Sequence, residues 1–260
     1  MNDHPGFSLE RLWLLIRRSV LLDLKLWVTG FSAVTGFYFL ISLMGMYIQS
    51  QQTAELPGDF YHHSSAVNTG LFLYALGGYL MASRIFQELH DPARGYVLLT
   101  LPASAKEKFL SAWLITAPFY TIAVMAVLFL MELVCSAIDV RLFGAGFGWF
   151  NPLNSEVLMK IIAYFGMHSI FLLGGVFFRK NNFIKTILAL VIAHIVLAMV
   201  FGLIMYLLWT IVPGFPENVF DREVLLEQAP LGDLMKATGW IIVMLIFLPV
   251  GYYRFKYRQL

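Results

Sequence analysis

One cysteine, Cys135, occurs in 260 residues. A lone thiol excludes an internal disulfide framework and a cluster of thiolate metal ligands. Charge is scarce as well. Asp, Glu, Lys and Arg make up 13% of the chain, against about 25% in soluble domains. The formal net charge of +2 is too small to argue for nucleic acid as a partner. No Gly-x-x-x-x-Gly-Lys-Ser/Thr loop and no Gly-Lys pair occurs, so nothing here cradles nucleotide phosphates in the P-loop manner. His-Glu-x-x-His and Gly-x-Ser-x-Gly are also missing, which removes the residues for zinc proteolysis and nucleophile-elbow hydrolysis. Asp3, Glu10 and Asp23 interrupt the first 25 residues, and no cleavable signal peptide is expected.

What fills the chain instead is apolar. Hydrophobic residues reach 59%, aromatics 16%, and the mean hydropathy is +0.74. A water-soluble domain of this size cannot bury that much apolar surface, so a bilayer is the expected solvent. Six runs are long enough to cross it as helices: about 26–48, 67–83, 109–138, 161–178, 186–212 and 237–253. They are continuous rather than alternating, which excludes a β-barrel. Basic residues follow the alternation these spans impose. Fourteen of the 18 Lys and Arg residues fall on the side that holds both chain ends, which places both termini in the cytoplasm of a plasma (inner) membrane. The expected fold is therefore an all-α integral membrane protein, one transmembrane domain over 1–260.

Three segments outside the spans carry pattern. Residues 1–25 form a cytoplasmic amphipathic segment. Within it, 8–25 reads as an interfacial helix, with Ser8 as its cap and Arg11, Arg18 and Lys25 on one arc. Between spans two and three, Arg84 to His90 can continue as a helix until Asp91-Pro92 stops it. Gly95 permits a turn, 96–101 is apolar, Pro102 breaks the chain, and Ser104 with Glu107 forms a capping box for the next helix. A helix, a break and a capped helix can transmit a push from a partner, or can be a structured linker. The outer segment 213–236 mixes leucines with acids and reads as two short amphipathic pieces, a partly helical outer loop between spans five and six.

The stretch Leu98-Leu99-Thr100-Leu101-Pro102-Ala103-Ser104, followed by Lys106-Glu107-Lys108-Phe109, resembles the segment that precedes the third span in the ABC-2 family of ABC-transporter permeases. The layout of the whole chain is similar to that family too. The resemblance implies that 84–95 is a coupling helix, with Arg84, Phe86, Glu88, Leu89, His90, Asp91 and Arg94 facing a separate ABC ATP-binding subunit. Leu101, Pro102, Ser104 and Glu107 would form the capped entry to span three. It further implies a homodimer or a paired sister permease, with ATP and Mg held by the partner subunit, no cofactor in this chain, and no enzymatic activity of its own. The family moves drugs, peptides, lipids or glycans, usually outward. Two other readings stay open: an ion-coupled secondary transporter, which calls for inverted repeats and charged, broken spans, and a non-transporting membrane scaffold or assembly factor.

Polar groups inside spans are rare and worth attention. His168 in span four and His194 in span five lie at similar depth across a short loop, so they could meet or line a wet cavity, or each could serve as an interhelical hydrogen bond. Two ionisable groups at one depth are also the least that an intramembrane enzyme would need. Glu132 falls near the outer end of span three, where a carboxylate can reach headgroup water. His62 and His63 are adjacent and too few to hold a metal, so no metal site is expected.

Overall fold

The computed structural model describes residues 7–52, 61–90, 95, 100–143, 148–212 and 230–258. Among these residues the chain is helical and contains no strand. Helix α1 covers Leu9–Leu22 and α2 covers Leu24–Gln52, with Asp23 breaking the helix between them. Helix α3 covers Tyr61–Arg84 and ends in a single 3-10 turn, Gln87–His90. Helix α4 (Ala105–Leu114) passes through a π-helical turn, Ile115–Phe119, into α5 (Tyr120–Phe143). Helices α6 (Ser155–Phe177), α7 (Asn182–Ile211) and α8 (Pro230–Arg258) complete the bundle.

Five stretches are long and apolar enough to cross a membrane: Trp27–Ile48, Ala105–Leu142, Ser155–Phe177, Asn182–Ile211 and Gly232–Arg258. The chain is thus a multi-pass, membrane-embedded helical protein. Helix α3, expected as a span, has 24 residues and so about 36 Å of length, but not the apolarity. Its position explains the composition. It packs against α2, α5, α6 and α7, so much of its surface meets protein rather than solvent or lipid. Asn68 there accepts a hydrogen bond from Lys160 Nζ at 2.6 Å.

The contacts between helices fix their relative directions. Tyr38 meets Glu132 while the Trp27 ring lies beside Tyr120, so α2 and α5 run parallel. Tyr74 meets Thr121 and Gly70 faces Leu128, so α3 runs against them. Gly166 lies against Trp240 and Gly251 against Leu173, so α6 and α8 are parallel. Gly175 sits where α6 crosses α3. A Cβ there would lie 2.8 Å from the Ala82 carbonyl oxygen, so only glycine lets the backbones approach this closely.

The core is a chain of rings. Tyr120 stacks on Tyr74, Tyr74 meets Tyr164 at a tilt with centroids 4.4 Å apart, Tyr164 stacks on Tyr79, and Tyr79 on Phe171 at 4.7 Å. The hydroxyls of Tyr120, Tyr164 and Tyr74 are spent inside the bundle. Tyr120 donates to the Tyr74 carbonyl, Tyr164 to the Thr116 carbonyl, and Tyr74 to Thr121, whose own proton goes to Ala117. In a membrane, where lipid is as apolar as leucine, such bonds and close contacts hold helices together. Pro118 lies inside the π turn. Proline has no N–H and its ring displaces the preceding turn, and a wider turn accommodates both. The sequence expectation treated 109–138 as one regular span and missed this turn.

Candidate functional site at the basic end of the bundle

The start of α4 is set locally. Ser104 has an extended backbone, its hydroxyl accepts the Glu107 N–H at 3.2 Å, and the Glu107 carboxylate accepts the Ser104 N–H at 2.7 Å. The expected capping box is therefore present. Leu101 and Pro102 form a bend in front of it, with Ala103 N–H bonded to the Leu101 carbonyl.

Glu107 does more than cap. Its side chain is fully buried, and its second oxygen accepts the Ser8 N–H at 2.7 Å and the Arg11 guanidinium at 3.1 and 3.3 Å. One carboxylate thus closes α4 and pins the start of α1. Ser8 stands at the cap position of α1, as expected, but its side chain makes no capping bond. Its N–H is drawn to Glu107 instead. Leu12 and Ile16 of α1 then pack on Ile115, with Leu110 and Leu114 beside them.

The segment after α3 is tied as firmly. The helix expected through His90 ends at Arg84, and a tighter turn follows in which Leu89 N–H bonds to the Phe86 carbonyl. That turn swings Phe86 into a ring cluster with Phe109 and Phe255. It also brings His90 to the ends of α6 and α8. His90 Nε2 lies 3.0 Å from the Gly175 carbonyl and can only donate there, and Nδ1 lies 2.9 Å from Arg258 Nη1 and can only accept. A neutral, Nε2-protonated imidazole satisfies both. Burial, then the nearby Arg258 and Arg179 charges, hold its pKa below the usual histidine value, against the pull of the Gly175 bond. Arg258 also donates to the Phe177 carbonyl at 3.1 Å, and Arg254 lies over the Phe177 ring at 5.4 Å. Glu88 reaches Arg18 of α1 at 3.9 Å across a half-exposed gap, a weak pair.

Six of the residues singled out from the sequence thus meet at one end: Phe86, Glu88, His90, Ser104 and Glu107 in contacts, and Arg84 on the wall of an adjoining cavity of about 560 Å³. Leu89 packs against the Phe86 cluster. Asp91 and Arg94 lie outside the described residues, as do most of the outer segment 213–236 and Leu98-Leu99. Arg11 was read only as part of the basic arc of the first helix, Gly175 and Arg258 were not singled out, and no local motif marks the contacts these three make.

Deeper in the bundle the polar residues separate. His168 is fully buried, with Nε2 at 2.9 Å from Thr116 Oγ1. Thr116 already gives its proton to the Ala112 carbonyl, so the imidazole donates. His194 lies on the exposed surface of α7, so the two histidines do not share a site. Glu132, expected near headgroup water, is buried within the chain and accepts the Tyr38 hydroxyl. Among the described residues no group of three or more His, Cys, Asp or Glu side chains could hold a metal ion. No family model, no curated protein and no solved structure matches this chain, so its relationships rest on its own residues.

Proposed function

We propose that this chain is the membrane-spanning permease subunit of an ATP-driven exporter of the ABC-2 type, crossing the membrane six times with both termini in the cytoplasm of the inner membrane. Helix α3 is the sixth span, screened from lipid by its neighbours. A separate ABC subunit binds ATP and Mg, and two permeases, identical or sisters, complete the transporter. The exported substrate is a drug, peptide, lipid or glycan.

One observation carries this reading. The segment between α3 and α4 is anchored to three other helix ends, Glu88 to α1, His90 to α6 and α8, and Phe86 to α8, while Phe86 also packs on the start of α4, whose Glu107 holds α1. A displacement applied there cannot stay local, because packed helices transmit shifts as rigid elements. A coupling element needs that property, whereas a mere linker has no need of it.

The test is purification from native membranes in a mild detergent. An ATP-binding subunit is expected to co-purify in equal amounts, and its ATP hydrolysis is expected to change when Phe86→Ala or Glu88→Arg loosens the segment. Recovery of a transport-competent chain without any ATPase would overturn the proposal. Transport that continues in ATP-depleted vesicles and stops when an ion gradient collapses would point to the ion-coupled alternative.

A further inference from the structure

The cavity at the basic end lies between α2 and α3 and has two distinct parts. Its inner wall is apolar: Trp27 and Phe31 on α2, Met81 on α3, and Tyr120 where α5 begins. Trp27 and Phe31 are four residues apart, and Val34 follows at the next turn, so one stripe of α2 lines the cavity for about 10 Å. Gly77 and Arg84 stand seven residues apart on α3 and bound the facing stripe over the same length. Its mouth is ionic. Arg18, Arg84, Arg179 and Lys180 line it, against Asp23 and Glu88. Glu88 is engaged by Arg18, and among the described residues no carboxylate lies within ion-pair distance of Arg84, Arg179 or Lys180.

We propose that this cavity binds one anionic, phosphate-headed lipid, with its phosphate among Arg84, Arg179 and Lys180 and an acyl chain between α2 and α3. Each part of the geometry selects a part of that ligand. Uncompensated guanidinium and ammonium groups at headgroup level recognise phosphate, and basic pockets between membrane helices bind acidic headgroups in this way. A free anion would use the mouth and leave the apolar wall unfilled. A neutral lipid would fill the wall and leave three cations without a carboxylate partner among the described residues. The volume of about 560 Å³ lies within the range of about 300–1,000 Å³ for small-ligand sites. This inference needs the bundle to sit in a membrane with its basic end at the headgroups. It does not need ATP coupling, so it can fail or hold independently of the proposal above.

Two variants probe the two parts. Arg84→Gln with Lys180→Gln strips charge from the mouth. Gly30→Leu fills the cavity: Gly30 lines it, and a Cβ there meets nothing within 4 Å, so the backbone tolerates a side chain. Leucine also favours the helix over glycine. The full chain in nonionic detergent is titrated with phosphatidylglycerol, with phosphatidylcholine, and with inorganic phosphate, and read by native mass spectrometry, with the thermal midpoint as a check on folding. One phosphatidylglycerol per chain is expected, in clear preference to phosphatidylcholine and uncontested by millimolar phosphate. The charge variant should weaken it about 30-fold, from two cations each worth about 1 kcal/mol near an anionic surface. Gly30→Leu should abolish the single stoichiometric site without lowering the thermal midpoint. Equal binding of phosphatidylcholine overturns the proposal, as does binding unchanged by both variants. Competition by inorganic phosphate together with indifference to Gly30→Leu overturns it in favour of a plain anion site. Should one variant fail to fold, the other still decides, because each removes a different half of the ligand's contacts.

Discussion

At the scale of single residues, Glu107 concentrates the most consequence in the fewest atoms. Its oxygens take two backbone N–H groups and a guanidinium while its side chain is fully buried. Glu107→Gln keeps the shape but turns an acceptor into a donor facing donors. The expected loss is about 2–4 kcal/mol at this junction, since a buried charged acceptor is removed and its partners are left unmatched. Arg11→Gln should cost less, under about 1 kcal/mol, because that guanidinium is 31% exposed and solvent screens the pair. Limited trypsin digestion checks both: cleavage at Arg17 and Arg18 should accelerate strongly in Glu107→Gln and weakly in Arg11→Gln. An unchanged rate in Glu107→Gln would mean that the Leu12 and Ile16 contacts alone hold α1. The capping half of Glu107 was legible because Ser104 and Glu107 are three positions apart. The other half joins residues 99 apart in sequence, Ser8 and Glu107, and no periodicity encodes that. The same holds for the buried Tyr38–Glu132 pair, which reversed the expectation of a water-facing carboxylate.

At the scale of elements, the 3-10 turn Gln87–His90 joins the ends of two helices, α6 and α8, through one imidazole. His90 is held neutral by the fold, with its pKa lowered below the unfolded value of about 6.5. A base whose folded pKa is depressed contributes its full stability above the unfolded pKa. That contribution is lost as pH falls below about 6.5 toward the folded value, because the unfolded chain takes up the proton first. The thermal midpoint should therefore drop between pH 7.5 and 5.5 more in the parent chain than in His90→Gln, whose side chain does not titrate there. At pH 7.5 His90→Gln itself should lose about 1–2 kcal/mol with the Gly175 and Arg258 bonds. Parallel slopes for the two proteins would remove His90 from the account. Elements were the best-read level of the sequence, since runs of 18 or more apolar residues declare themselves by length. What failed was facing. Helices α2, α5 and α7 are apolar all round, so the periodicity that marks an inward stripe in a soluble protein vanishes when lipid replaces water. Nothing in the letters could tell that His168 looks inward and His194 outward.

At the scale of the whole molecule, the open matter is how often the chain crosses. Five helices satisfy length and apolarity, and α3 satisfies length alone. Single cysteines in a Cys135→Ser background decide it, the native thiol being buried. Arg17→Cys and Lys106→Cys flank α2 and α3. With α3 crossing, an impermeant maleimide should label both from the same side of the membrane, and Leu153→Cys, on the exposed turn before α6, from the other. Opposite labelling of Arg17→Cys and Lys106→Cys would leave α2 as the only crossing between them and would overturn the six-span topology. The expectation of this topology rests on the alternation of basic residues, because translocation energetics act on charge counts in short loops rather than on tertiary contacts.

Helix α7 gives the molecule an arm with one shoulder. Only Asn182 and Thr186 are buried, with Phe183 and Leu190 partly covered, and nearly every residue from 191 to 212 is exposed. Thr186 rests on Gly174 so closely that any side chain at 174 would collide with it. A shift of an ångström at that bearing becomes several at the far tip, about 38 Å away by helix rise. The smallest residue in the protein thus sets the reach of one of its longest helices, and the surroundings of the bundle, not its interior, decide where that arm comes to rest.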